Sequence, residues 1–228
     1  MDGPGKNALG SAMFDFLEAE LDKAGDGPVL ITGAGGVFSA GLNLREIASL
    51  DQLGMSAFLR RLDRVAARLH DHPGPTVAAV NGHAIAGGCV IALCCDHIVA
   101  TTDEKARIGL NEVALGLVFP PVIWRIVRQR IPDDARRTVL LGGDLFDTQT
   151  AGALGLTDAL SDDPLADGRA RLATLAERPA AAYAEVKSLL LEGITDVDET
   201  EWAAWADHHV PAWTSGELKA RIEKLLGG

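Results

Sequence analysis

Two adjacent glycines, Gly87 and Gly88, interrupt the stretch NGHAIAGGCVIAL (Asn81 to Leu93) between an extended apolar run and a segment patterned as a buried helix. Glycine inside an element costs about 1 kcal/mol relative to alanine, so such a pair marks a place where a side chain would be in the way. A second stretch has the same plan. VLITGAGGVFSAGLNL (Val29 to Leu44) and VAAVNGHAIAGGCVIAL (Val77 to Leu93) each run strand, turn glycine, apolar bridge, small residue plus Gly, then helix. Each copy can present a backbone N–H at a helix N-terminus, where partial positive charge gathers. Two such N–H groups aimed at one point make an oxyanion hole. Either loop alone is also what tight strand-to-helix packing produces.

The elements that must position these loops follow from periodicity. Asn7 is placed to cap a helix through ALGSAMFDFLEAELDKAG, with Leu9, Met13, Phe16, Leu17 and Leu21 on one face. PVLIT and TVAAV read as short buried strands. A second amphipathic helix covers Asp51 to His72, with Phe58, Leu62, Val65 and Leu69 inward, and Pro73 and Pro75 stop it. CVIALCC reads as a helix and DHIVAT as a strand. Past Pro120 helical periodicity takes over. The chain is therefore expected to be α/β, with strands in the first half: a core over residues 1–170 and a helical region over 171–228.

Composition sets the outer bounds. The 228 residues suit one domain, 47% of them apolar, so a sizeable core is affordable. A net charge of −11 argues against a nucleic-acid surface, though not against an anionic ligand held by a few cations and N–H groups. The 3 cysteines, Cys89, Cys94 and Cys95, share one apolar segment without metal-ligand spacing. They read as buried thiols in a reducing compartment. No transmembrane span or secretory signal is visible, so a cytoplasmic protein without a membrane partner is expected. GAGG lacks the full G-x-G-x-x-G spacing and its downstream acidic residue, which argues against a nicotinamide cofactor.

Four motifs, taken in order, resemble the crotonase (enoyl-CoA hydratase/isomerase) superfamily: KNAL, LITGAGGVFSAGLNLREI, AAVNGHAIAGGCVIALCCDHIVAT and IGLNEVALGL. GALGLTDAL and PAAAYAEVKSLL continue the match. The resemblance implies a crotonase-like spiral of repeated ββα units with a helical C-terminal trimerisation region. It also implies further N-terminal strands ahead of the NAL segment. Its members bind an acyl-CoA thioester and stabilise an enolate, and coenzyme A is then part of the substrate rather than a resident cofactor. A homotrimer or dimer of trimers is expected, with no metal. By position the oxyanion N–H groups fall on Leu42 and Gly87, with Gly87 leaving room for the thioester oxygen. The carbonyls of Ala40 and Leu42 would meet the adenine amino group. Arg45 stands where the family often has a lysine near the CoA phosphates, and Lys6 is a second candidate for that anion. Lys187 lies on a helix whose counterpart approaches CoA from a neighbouring subunit.

Which reaction is expected turns on three positions. Family hydratases hold water between two glutamates. Here the first of these positions is Val90, and the second is Glu112. The position whose backbone N–H helps to hold the water is Pro120, which has none. One carboxylate suffices for proton relocation, so the resemblance implies a Δ3,Δ2-enoyl-CoA isomerase with Glu112 as base. Weak hydratase, decarboxylase, thioesterase or non-catalytic acyl-CoA binding are the alternatives. Phe119, Val122, Ile123 and Trp124 either shape an acyl pocket or fill the core.

Overall fold

The structure, a computed structural model, describes residues 1–227. It opens with a one-turn element, α1 (Pro4–Asn7), in which Gly5, Lys6 and Asn7 all have positive φ. Asn7 therefore does not cap the next helix. α2 (Ser11–Ala24) starts after Gly10, and its first amide is met by Glu46 instead. The buried Asn7 side chain reaches the other way, donating to the carbonyls of Ala34 (3.0 Å) and Val37 (2.8 Å) in the first glycine loop.

The chain then winds through repeated turns. β1 (Val29–Thr32) leads through the glycine loop to α3 (Leu44–Ser49) and α4 (Gln52–His70). β2 (Thr76–Val80) leads through β3 (Ala84–Ile85) to α5 (Gly87–Leu93), and β4 (His97–Thr101) leads to β5 (Ile108–Gly109). Successive turns stack in register. β1, β2 and β4 pair in parallel (Ile31 with Ala78, Ala78 with Ile98), while Ser39 bridges Ala84 and Ala84 pairs with Ile108 in a second parallel layer. The two glycine loops are thus neighbouring turns of one spiral, which is why they share a sequence plan. β2 is buried at every residue and has no polar alternation, as a strand covered on both faces requires.

After β5 come α6 (Pro121–Arg130), a π-helical turn at Arg137–Leu141, and α7 (Thr148–Ala153). β6 (Ala159–Ser161) then adds to the far edge of the sheet, giving the order β1-β2-β4-β6. This late strand is an exception to the concentration of strands in the first half. α8 (Pro164–Ala176) packs across β1, β2 and β4. The boundary expected at residue 170 therefore cuts a helix that belongs whole to the sheet layer. α9 (Ala180–Leu190), α10 (Glu199–Trp213) and α11 (Gly216–Leu226) complete the described chain. No helix among the described residues is long and apolar enough to cross a membrane.

Candidate active site

Three segments converge on a cavity of about 350 Å³: Ala40 to Ile47 from the first glycine loop and α3, Ile85 and Ala86 from the second loop, and Asn111 to Leu117 after β5. Its other wall is the C-terminal part of the same chain, with Trp213, Leu218, Arg221, Ile222 and Leu225.

Among the described residues the backbone amides of Leu42 and Gly87 meet no acceptor, which follows from the way the spiral is built. Leu42 forms a parallel bridge with Leu9, in which Leu9 donates to the Gly41 carbonyl (2.7 Å) and Asn43 donates to the Leu9 carbonyl (2.8 Å). Pairing through its two neighbours turns the N–H of Leu42 to the opposite side. Gly87 is the first residue of α5, so its N–H has no intrahelical acceptor. Ala86 before it takes φ +50°, a strained conformation for a residue with a Cβ. The strain is held by Ala86 N–H on the Gly109 carbonyl (2.8 Å) and Val90 N–H on the Ala86 carbonyl (3.0 Å). Gly41 (φ +91°) lets the loops close up: a Cβ there would lie 2.8 Å from the Ile85 carbonyl oxygen and 3.7 Å from Gly87 N.

The expected reason for Gly87 is modified. A Cβ on Gly87 would meet the Leu9 Cδ1 at 3.0 Å and the Leu42 Cδ2 at 3.3 Å, so the missing side chain makes room for packing between turns. Gly88 is tighter still. Its Cβ would fall 2.5 Å from the Ser39 carbonyl oxygen and 2.8 Å from the Ser39 Cβ. Ser39 is fully buried, donates to the Asn7 carbonyl (2.8 Å) and accepts from Gly41 N–H (3.3 Å).

Among the described residues Glu112 is the one carboxylate lining the cavity. It sits at the entrance to a 3-10 turn, Val113–Leu115, and its backbone carbonyl accepts from Leu115 (3.0 Å) and Leu117 (2.9 Å). The side chain is buried, and Oε2 meets no hydrogen-bond partner. Loss of solvation pushes its pKa up to about 8, with its own backbone N–H a smaller opposing influence. Asn111 Oδ1 and the indole Nε1 of Trp213, both from residues lining the same cavity, are also buried without a partner.

Val90 is buried in α5 and brings no acid to the site. The start of α6 offers no free N–H. Pro120 and Pro121 have none, and the next two amides, Val122 and Ile123, donate to the buried Asp63 carboxylate (3.1 and 3.0 Å). Burial raises the Asp63 pKa to about 6, against the lowering effect of those two bonds. Phe119, Val122 and Ile123 are core residues and Trp124 is exposed; none lines the cavity.

Of the cations singled out in the sequence, Lys6 and Arg45 are exposed, make no ion pair among the described residues and do not line the cavity. Lys6 is tied to the site through the main chain, its carbonyl accepting from Ala40 N–H (3.1 Å). Lys187 does not line this cavity. It is buried in an ion pair with Asp96 (2.8 Å), which also accepts from the Tyr183 hydroxyl (2.9 Å). His83 is committed to packing, its Nδ1 accepting from Arg107 N–H (2.9 Å). Ser39, Ala86, Asn111 and Arg221 were not singled out in the sequence, and Asn7 was read there only as a helix cap.

Parallel turns stacked this way, with a glycine loop from each of two turns and a desolvated acid around one cavity, are the architecture of the crotonase-fold class. The chain belongs to the enoyl-CoA hydratase/isomerase family, whose model matches residues 1–221. It is 36% identical over 221 residues to a Thermus thermophilus protein provisionally described as an enoyl-CoA hydratase, covering 93% of this chain and 83% of that one. It is 32% identical over 152 residues to mouse mitochondrial enoyl-CoA delta isomerase 1, covering 67% of this chain and 53% of the relative. The human mitochondrial Δ3-Δ2-enoyl-CoA isomerase structure superposes with a TM-score of 0.89 at 25% identity, covering 99% of this chain and 90% of that one.

Proposed function

We propose that this protein is a Δ3,Δ2-enoyl-CoA isomerase, with Glu112 as its single acid–base group. One observation carries the choice of isomerisation over hydration. Among the described residues Glu112 is the only acid lining the cavity, and neither Val90 nor the start of α6 supplies a second group to hold water.

The thioester oxygen of a 3-enoyl-CoA accepts from Leu42 N–H and Gly87 N–H, which stabilise the negative charge of the enolate by roughly 3 kcal/mol per donor. The Glu112 carboxylate takes a proton from C2. The C2–H electron pair enters the dienolate, with charge on the thioester oxygen. Protonated Glu112 then returns the proton to C4, and the double bond moves from C3–C4 to C2–C3. The same carboxylate ends as it began, so no cofactor and no water enters the balance. In this reading the Ala40 and Leu42 carbonyls hold the adenine amino group, and exposed Arg45 and Lys6 serve the CoA phosphates.

Hydration is the competing reading, favoured by the description of the Thermus thermophilus relative. The two are separated by giving the protein a 3-enoyl-CoA and crotonyl-CoA in parallel. Isomerisation predicts growth of the conjugated-enoyl ultraviolet band from the first and at most a trace of 3-hydroxyacyl product from the second. Efficient hydration of crotonyl-CoA would reverse the assignment.

A further inference from the structure

The cavity is not apolar throughout, and its polar groups fall into two sets. Asn111 and Glu112 come from the segment after β5. Trp213 and Arg221 come from α10 and α11, on the C-terminal wall, among Leu218, Ile222 and Leu225. Trp213 is 4% exposed, and its Nε1–H has no acceptor. A buried donor left unmade is destabilising, so a wall needing only to hold hydrocarbon would be better served by Phe or Leu. Among the described residues Arg221 is the one cationic side chain lining the cavity. Its Nη2 pairs with Glu217 (2.8 Å) and its Nη1 reaches the Ala114 carbonyl at 3.4 Å. Glu217 is largely exposed, so that pair gives up little when another carboxylate replaces it.

We infer that this wall recognises an oxygen acceptor on the acyl tail, a terminal carboxylate in the first place, through Trp213 Nε1–H and the Arg221 guanidinium. The inference rests on the acyl-CoA reading and names its substrate class: an enoyl-CoA whose acyl group is a dicarboxylic half-thioester. Space agrees. At about 30 Å³ per heavy-atom-sized group, 350 Å³ holds roughly a dozen such groups, enough for a six- to eight-carbon acyl chain with its carboxylate. Both residues belong to the same chain as Glu112 and line the same cavity, so the selection needs no partner subunit.

The test uses length-matched pairs: 3-hexenoyl-CoA against the CoA monothioester of 3-hexenedioic acid, and the eight-carbon equivalents. The carboxylate-tailed member should have about tenfold or greater kcat/KM at one length or both, the range of a charge-assisted bond. Trp213→Phe and Arg221→Met should each cut that ratio several-fold. Because the ratio is taken within one protein preparation, partial misfolding of a variant cannot mimic the effect. Equal or better turnover of the methyl-tailed member at both lengths would overturn the inference, as would a preference that neither variant alters. If neither member is conjugated, the isomerase reading itself has failed.

Discussion

At the scale of the residue, the account turns on a carboxylate kept out of water. Burial lifts the Glu112 pKa to about 8, and a base works only when ionised. The kcat/KM for a 3-enoyl-CoA should therefore climb about tenfold per pH unit below 8 and level off above it, and a profile flat from pH 5.5 to 8 would contradict this. The same burial has a thermodynamic sign. A carboxyl whose folded pKa lies above its unfolded value favours the folded state in its protonated form, so stability falls as pH rises from about 4.5 through 8. Glu112→Gln should then raise stability by roughly 3 kcal/mol at pH 7 and by little at pH 4, read as the difference in denaturation midpoints. This residue was legible because a glutamate is a discrete chemical sign in a motif. Trp213 and Arg221 were not, since they reach the cavity only when two helices about 100 positions further along fold back over it.

At the scale of the element, two close approaches hold the site together. α5 can start where it does because Gly88 lies against Ser39 of the preceding turn. Gly88→Ala drives a methyl into a backbone carbonyl 2.5 Å away and should cost a few kcal/mol in chemical denaturation. Gly87→Ala meets mainly the ends of the Leu9 and Leu42 side chains, so it should fold and lose activity through displacement of Leu42. Asp63 works similarly for α6. Asp63→Ala strands two buried amides and should destabilise by about 1–3 kcal/mol. The glycines announced these approaches in the sequence, but not their direction. Gly87 read as space for a ligand, and the structure fills that space with leucine. The left-handed turn at Lys6 and Asn7 was hidden for a related reason: asparagine is both a good helix cap and a residue that tolerates positive φ, and local sequence does not say which property is used.

At the scale of the whole molecule, the spiral was legible because stacked turns repeat their plan, and strands buried on both faces leave short apolar runs. β6 escaped notice as three residues, one of them exposed, in a helical context. The C-terminal helices contribute more than expected, walling the cavity from within one chain. α9 presents Val186, Leu189 and Leu190 to solvent at 64%, 63% and 69% exposure, three apolar side chains on one helical face. An assembly of chains should cover them. Analytical ultracentrifugation should find a trimer or a multiple of one, and Leu189→Glu with Leu190→Glu should shift it to smaller species. A monomeric wild-type protein would show that this face has another use.

The most direct test of the central claim is a single-turnover experiment with Glu112→Gln and a 3-enoyl-CoA, read at the conjugated-enoyl band beside calorimetric binding. Conjugation should fall by at least a thousandfold while the Kd stays within a few-fold of wild type. Undiminished conjugation in the glutamine variant would show that some other group moves the proton.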